Sequence, residues 1–201
     1  MRWAGPSVLG LFALLSLADI IQTHPPWKDE AADDVALRSR VLALVPPGAY
    51  VMDAKGEAVF RPRPVRAVLE TITLERYRRG LLRNDIPERL AATGTAVVIP
   101  DHVEVDERTR AFVDANYLRA GSNLMVAGRV LDVPPEGRLL FEIAVPQCYE
   151  VLAAGPVRID DREATGPVVL ANGPHEISVA AGDMPVTLVY APARDLLRPR
   201  R

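Results

Sequence analysis

The sequence predicts a multi-part α+β protein: an N-terminal membrane helix, a small three-layer-like α/β domain and a C-terminal β-sandwich. Three observations predict it. Residues 3–21 are almost wholly apolar, with Asp19 their only charge. Residues 29–132 alternate between helix-like and strand-like periodicity, the pattern of a small sheet covered by helices. Residues 137–192 hold short strand patterns separated by turn residues, as in a compact sandwich. The parts expected are therefore 1–24, 29–132 and 137–192. The break falls at Pro134-Pro135-Glu136-Gly137.

The apolar segment follows a positive start, Met1-Arg2, and precedes an acidic cluster, Asp29, Glu30, Asp33 and Asp34. At about 1.5 Å per residue its length approaches a hydrocarbon core of about 30 Å. The charge asymmetry keeps the start inside and exports the rest. Two readings stay open. An uncleaved helix would place Asp19 near the outer interface of an inner or plasma membrane, with the bulk extracytoplasmic. A cleavable signal peptide, with Val8–Leu17 as its apolar core and Ser16-Leu17-Ala18 near the cut, would yield a secreted or periplasmic protein. No cysteine follows the apolar core, so a lipoprotein is not expected.

The chain has 201 residues, a net charge of −2 and 49% hydrophobic residues. Without the N-terminal segment about 175 residues remain, enough for one medium domain or two small ones. The near-neutral balance points away from nucleic acid, which normally demands a basic surface. The single cysteine, Cys148, excludes an intrachain disulfide, so an exported chain must rely on its core. Within Val145–Val151 it reads as a small buried hydrophobe.

In chain order, Asp33 or Asp34 caps a helix bearing Leu37, Val41 and Leu44 on one face, and Pro46-Pro47-Gly48 stops it. Residues 49–52 form a strand, Asp53 to Gly56 a turn, and 58–60 a second strand. Pro62 and Pro64 impose a loop. Val65, Val68, Leu69 and Ile72 then follow helical spacing, with Gly80 as the stop. Asn84 or Asp85 caps a short helix with Pro87 in its first turn and Leu90 facing inward. The apolar run 95–99 reads as a strand buried on both faces. Asp106 caps a helix through Phe112 and Val113, and residues 123–127 form another strand. Beyond the break, strands are expected at 139–144, 149–153, 157–159, 168–170, 176–179 and 186–190.

No residue set specifies a reaction. His24, His102 and His175 are far apart and form no metal-binding spacing. There is no nucleophile elbow, phosphate loop or dinucleotide fingerprint, so no catalytic residue, metal or cofactor is expected. Asp53 and Asp101 each follow a strand. They either line a polar cleft at the strand ends or simply form turns. Arg76, Arg78, Arg79 and Arg83 form a basic run at a helix end. They either complement the helix dipole in water or meet anionic head groups or a lipid-linked phosphate. Asp160-Asp161 reads as hairpin turn chemistry, and Arg194, Arg198, Arg200 and Arg201 as a solvated tail.

Residues 3–130 carry a further pattern. An apolar segment leads to an acidic helix, Val45-Pro-Pro-Gly48 and a strand ending at Asp53. Gly56-Glu-Ala-Val-Phe60-Arg61-Pro62, Asn84-Asp85-Ile86-Pro87-x-x-Leu90 and Val97-Val-Ile-Pro-Asp101 follow. This layout resembles the C-terminal extracytoplasmic part of bacterial protein-mannosyltransferase-like membrane glycosyltransferases. Residues 137–192 resemble small Ig-like or PEGA-like sandwiches, through Val157-Arg-Ile159-Asp160 and Leu170-x-x-Gly173-x-His175. That family places its catalytic acids in a first exported loop among many membrane helices, which this chain lacks. The resemblance thus implies a membrane-tethered accessory domain or split-off terminal piece, not catalytic by itself. Its implied partners are the membrane, a polytopic glycosyltransferase and a lipid-linked sugar or glycan. The other expectation is an exported carbohydrate- or envelope-binding module released by signal peptidase.

Overall fold

A computed structural model describes residues 4–23, 31–56, 58, 60–101, 103, 105–180 and 184–197. The chain falls into two compact units, residues 1–36 and residues 37–201. The first holds helix α1 (Ala4–Thr23) and the start of α2 (Ala32–Leu44). No helix among the described residues is long and apolar enough to cross a membrane. The predicted membrane helix is corrected accordingly. Ser7, Ser16, Asp19, Gln22 and Thr23 interrupt α1, and the continuous apolar stretch between its two serines is short.

The second unit is a mixed α/β structure with two sheets, not a three-layer-like domain followed by a separate sandwich. Strand β1 (Val51–Met52) lies parallel to β2 (Val97–Val98), with Val51 opposite Val97. Both strands of β1–β2 are buried, as a doubly covered strand requires. Strand β4 (Leu124–Val133) explains the correction. Its first half pairs antiparallel with β2 and with β3 (Tyr117–Gly121). Its second half pairs with β11 (Met184–Tyr190), which continues to β6 (Gln147–Leu152) and β9 (Val168–Leu170). One seven-stranded sheet thus runs through both expected parts.

At the changeover stands Gly128. A Cβ there would lie 2.5 Å from the Leu188 carbonyl oxygen and 2.9 Å from Leu118 Cδ1, so only glycine lets the strands approach. Residues 134–137 form a tight turn, with the Gly137 N–H donating to Pro134 O (2.8 Å). The turn leads into β5 (Arg138–Ile143). The second sheet has the order β5, β10 (Gly173–Val179), β7 (Val157–Ile159), β8 (Arg162–Glu163). Phe141, Ile143, Ile159 and Ile177 from it join one core with Leu131, Val186 and Leu188 from the larger sheet.

The remaining helices are short. Helix α3 (Thr71–Arg78) precedes α4 (Ile86–Ala92), whose Ile86, Pro87 and Leu90 are buried. In α5 (Glu107–Asn116) the Asp106 side chain accepts from Thr109 N at 2.8 Å, the expected cap, and Val113 is buried. α5 packs on α4, β3 and β4. A final turn of helix, α6 (Arg194–Leu197), follows β11.

The segment 53–70 departs most from expectation. Ala58 and Phe60 lie in a turn rather than a strand, and Val59 is outside the described residues. Residues 65–70 are irregular rather than helical, because two backbone groups that a helix would need are engaged elsewhere. Leu69 N–H donates to Ala54 O (2.8 Å), and Arg63 occupies the Ala67 carbonyl (3.1 Å).

Candidate functional site

The parallel pair β1–β2 carries Asp53 and Asp101 past the same ends of neighbouring strands. They have different surroundings. Asp53 is fully buried. Its Oδ1 accepts from Gly56 N (2.7 Å) and lies 2.7 Å from Arg63 Nε, while Oδ2 accepts from Ala58 N (2.6 Å). Arg63 in turn donates to the carbonyls of Asp53 (2.8 Å), Ala54 (3.0 Å) and Ala67 (3.1 Å). The carboxylate therefore staples its own loop. Asp101 is exposed, in the turn that the Val103 N–H closes onto Pro100 O (3.1 Å). The structure does not give these two acids a shared buried environment.

Arg76, Arg78 and Arg79 lie on and just beyond α3, and Arg83 follows. α3 contributes no buried residue. Its last turn closes at Gly80, whose φ of 68° suits glycine. Gly80 N–H donates to Tyr77 O and Leu81 N–H to Arg76 O, the paired bonds of a Schellman motif. That turn sets Leu81 near Ile72, and the two are 69% and 72% exposed. They line a groove of about 360 Å³ with Thr71, Glu75, Arg76 and Arg79. Glu75 holds Arg79 (2.8 Å) and lies 3.7 Å from Arg78. Arg76 has no ion-pair partner among the described residues. Arg83 is exposed and acts on Glu88 through its charge, beside the closer Arg108 (2.5 Å). The groove thus combines apolar side chains with basic ones.

Two further cavities flank α3. One of about 640 Å³ is lined by Lys55, Val68, Leu69 and the start of the helix, with Lys55 3.6 Å from Glu70. The other, of about 370 Å³, brings together Val65, Arg66, Ala67, Tyr77, Asp85 and Arg89. The sequence reading missed this last set. Its one signal was the four-residue spacing of Asp85 and Arg89, which fits an ion pair along a helix face.

His24 and His102 lie outside the described residues. His175 sits on β10, with Nδ1 2.7 Å from Asp160 Oδ2 and Nε2 3.0 Å from Ala171 O. Both neighbours are acceptors, so only the doubly protonated ring satisfies both. Asp160 and Asp161 take positive φ (50° and 63°) in the β7–β8 turn, the backbone that a tight hairpin demands. Burial opposes the charged ring, but the Ala171 carbonyl and the Asp160 carboxylate outweigh it and raise the His175 pKa above its usual range.

No family model, curated protein or solved structure matches this chain. The groove and the two cavities around α3 bring exposed apolar side chains and cations onto one concave region.

Proposed function

We propose that the chain is an extracytoplasmic accessory module of the cell envelope that binds an anionic membrane face through α3 and has no catalytic site of its own. The observation that carries this reading is the exposure of Ile72 and Leu81 beside Arg76, Arg78, Arg79 and Arg83. An apolar pair rimmed by arginines suits the headgroup boundary, where each cation near an anionic surface contributes about 1 kcal/mol. The burial of Asp53 supports binding over catalysis, because its carboxylate is consumed within its own loop. The apolar core Val8–Leu17 supports export. The resemblance of residues 3–130 supports service to a membrane glycosyltransferase that handles a lipid-linked sugar.

Co-sedimentation of the full chain with vesicles tests this. Binding to phosphatidylcholine mixed with phosphatidylglycerol should exceed binding to phosphatidylcholine alone and weaken as salt rises. Ile72→Ser, Leu81→Ser, Arg76→Ala and Arg79→Ala together should reduce the excess roughly tenfold or more. Any contribution of α1 is common to both variants. Equal binding to the two vesicles, unchanged in the variant, overturns the reading. N-terminal sequencing of the mature chain tests export separately: a start at Met1 in a cytoplasmic fraction overturns it.

A further inference from the structure

On the other side of α3, the cavity of about 370 Å³ sets two guanidiniums and a phenol hydroxyl beside a single carboxylate. Arg66 is exposed, and its guanidinium has no partner among the described residues. The half-buried Tyr77 hydroxyl likewise has none. Arg89 is held in place: its Nε donates to Asp85 Oδ2 (2.7 Å), four residues back along α4, and Nη1 reaches Pro64 O (3.5 Å). That arrangement neutralises Asp85 and fixes the plane of the guanidinium. Val65 and Pro64 are buried behind it, so the wall cannot simply collapse. Two guanidiniums against one carboxylate leave a net positive charge. Three side chains supply N–H or O–H donors, and the one carboxylate is already paired with Arg89 through Oδ2.

We propose that this cavity binds a phosphate oxyanion, carried either by a lipid headgroup or by a free phosphate. It deepens the membrane-face reading and rests on it for where the ligand comes from. Arg66 and Arg89 approach the oxyanion as charge-assisted donors, and Tyr77 adds a neutral one. Burial first, then the Asp85 carboxylate, raise the Tyr77 pKa against the opposing Arg89, so the hydroxyl keeps its proton at neutral pH. The ligand class follows from this donor set. A cation would meet two guanidiniums against one carboxylate already paired, whereas an oxyanion meets the excess positive charge and three donors.

Isothermal titration of the full chain tests the site, with inorganic phosphate in one arm and monomeric short-chain phosphatidic acid in the other. The expected result is saturable binding in at least one arm. Arg66→Ala should weaken it about tenfold, the size of one lost charge-assisted hydrogen bond. Tyr77→Phe, which keeps the ring in place, should weaken it less. Arg76→Ala, in the separate groove, should leave it unchanged. Binding of both probes assigns a free oxyanion, and binding of the lipid alone assigns a headgroup. No saturable binding in either arm overturns the site. So does binding that Arg76→Ala weakens as much as Arg66→Ala, since that marks diffuse charge. These probes are soluble, so failure on vesicles with saturation here removes the membrane reading alone, and the reverse outcome removes the cavity alone.

Discussion

Residues 60–64 and 71–83 are nearby segments, both carrying arginines, and they use them in opposite ways. In the first, Arg63 reaches three backbone carbonyls and a buried carboxylate. Arg61 covers the end of α2, donating to Val45 O (2.8 and 2.6 Å) and Leu42 O (3.3 Å). In the second, Arg76, Arg78 and Arg79 project from a helix with no fully buried residue, which rests on the core only through the partly buried Leu74 and Tyr77. The difference lies in the acceptors within reach. An irregular loop leaves carbonyls unpaired, and a planar guanidinium can satisfy several at once. A helix consumes its own carbonyls, so its arginines turn to the exposed Glu75, to water or to a partner.

The largest effect should come from breaking the inward set. Asp53→Ala leaves the mostly buried Arg63 uncompensated and two N–H groups unpaired. A loss of about 3–5 kcal/mol in denaturant unfolding is expected, and a loss below about 1 kcal/mol would remove the staple from the account. Arg61→Ala should cost about 1–3 kcal/mol by uncovering the last carbonyls of α2. A thermal scan that detects no change would show that water serves those carbonyls equally well.

His175 lies between these extremes, because its bonds depend on a proton. Its folded pKa is raised above the ordinary 6.5, so its contribution is complete below pH 6.5 and fades as pH rises through the raised value. Burial opposes the Asp160 charge, but the His175 and Glu176 donors outweigh it and lower its pKa. That contribution is present above pH 3.8 and fades as pH falls through the lowered value. The pair is therefore strongest between those limits. The melting temperature should fall from pH 6 to pH 8, and His175→Gln should flatten that slope. An unchanged slope in His175→Gln would assign the pH dependence elsewhere. The smallest effect on stability should come from the outward set: Arg76→Ala with Arg79→Ala should stay within about 0.5 kcal/mol of the parent. A larger loss would mean that these arginines hold the fold.

Much of the β structure could be read from pattern alone. Val157 and Ile159 are buried around an exposed Arg158, as alternation predicts. Leu90 and Val113 face inward as helical spacing predicts. Alternation identifies which face of a strand is buried but is blind to its neighbours, so the pairing of β11 with β4 was not legible. Nor was β3, whose Arg119 and Gly121 break the apolar pattern. The spacing of Val65, Val68, Leu69 and Ile72 fits a helix face, yet Val65 and Leu69 are buried while Ile72 is exposed. Guanidinium–carbonyl bonds decide that segment, and hydrophobic periodicity carries no trace of them. The candidate site was legible only as a basic run. Of its apolar pair, Ile72 reads as part of a helix face and Leu81 falls in no pattern, and the Arg66 cavity unites residues from separate elements.

The position of β11 has a consequence in time. It is the last strand among the described residues, yet it lies at the centre of the larger sheet, between β4 and β6. Until residue 190 is available, β4 has nothing to pair with along residues 128–133, and β6 and β9 form a detached ribbon. The larger sheet therefore cannot close before residues 184–190 have been made, more than fifty residues after β4, since such long-range pairing awaits both strands.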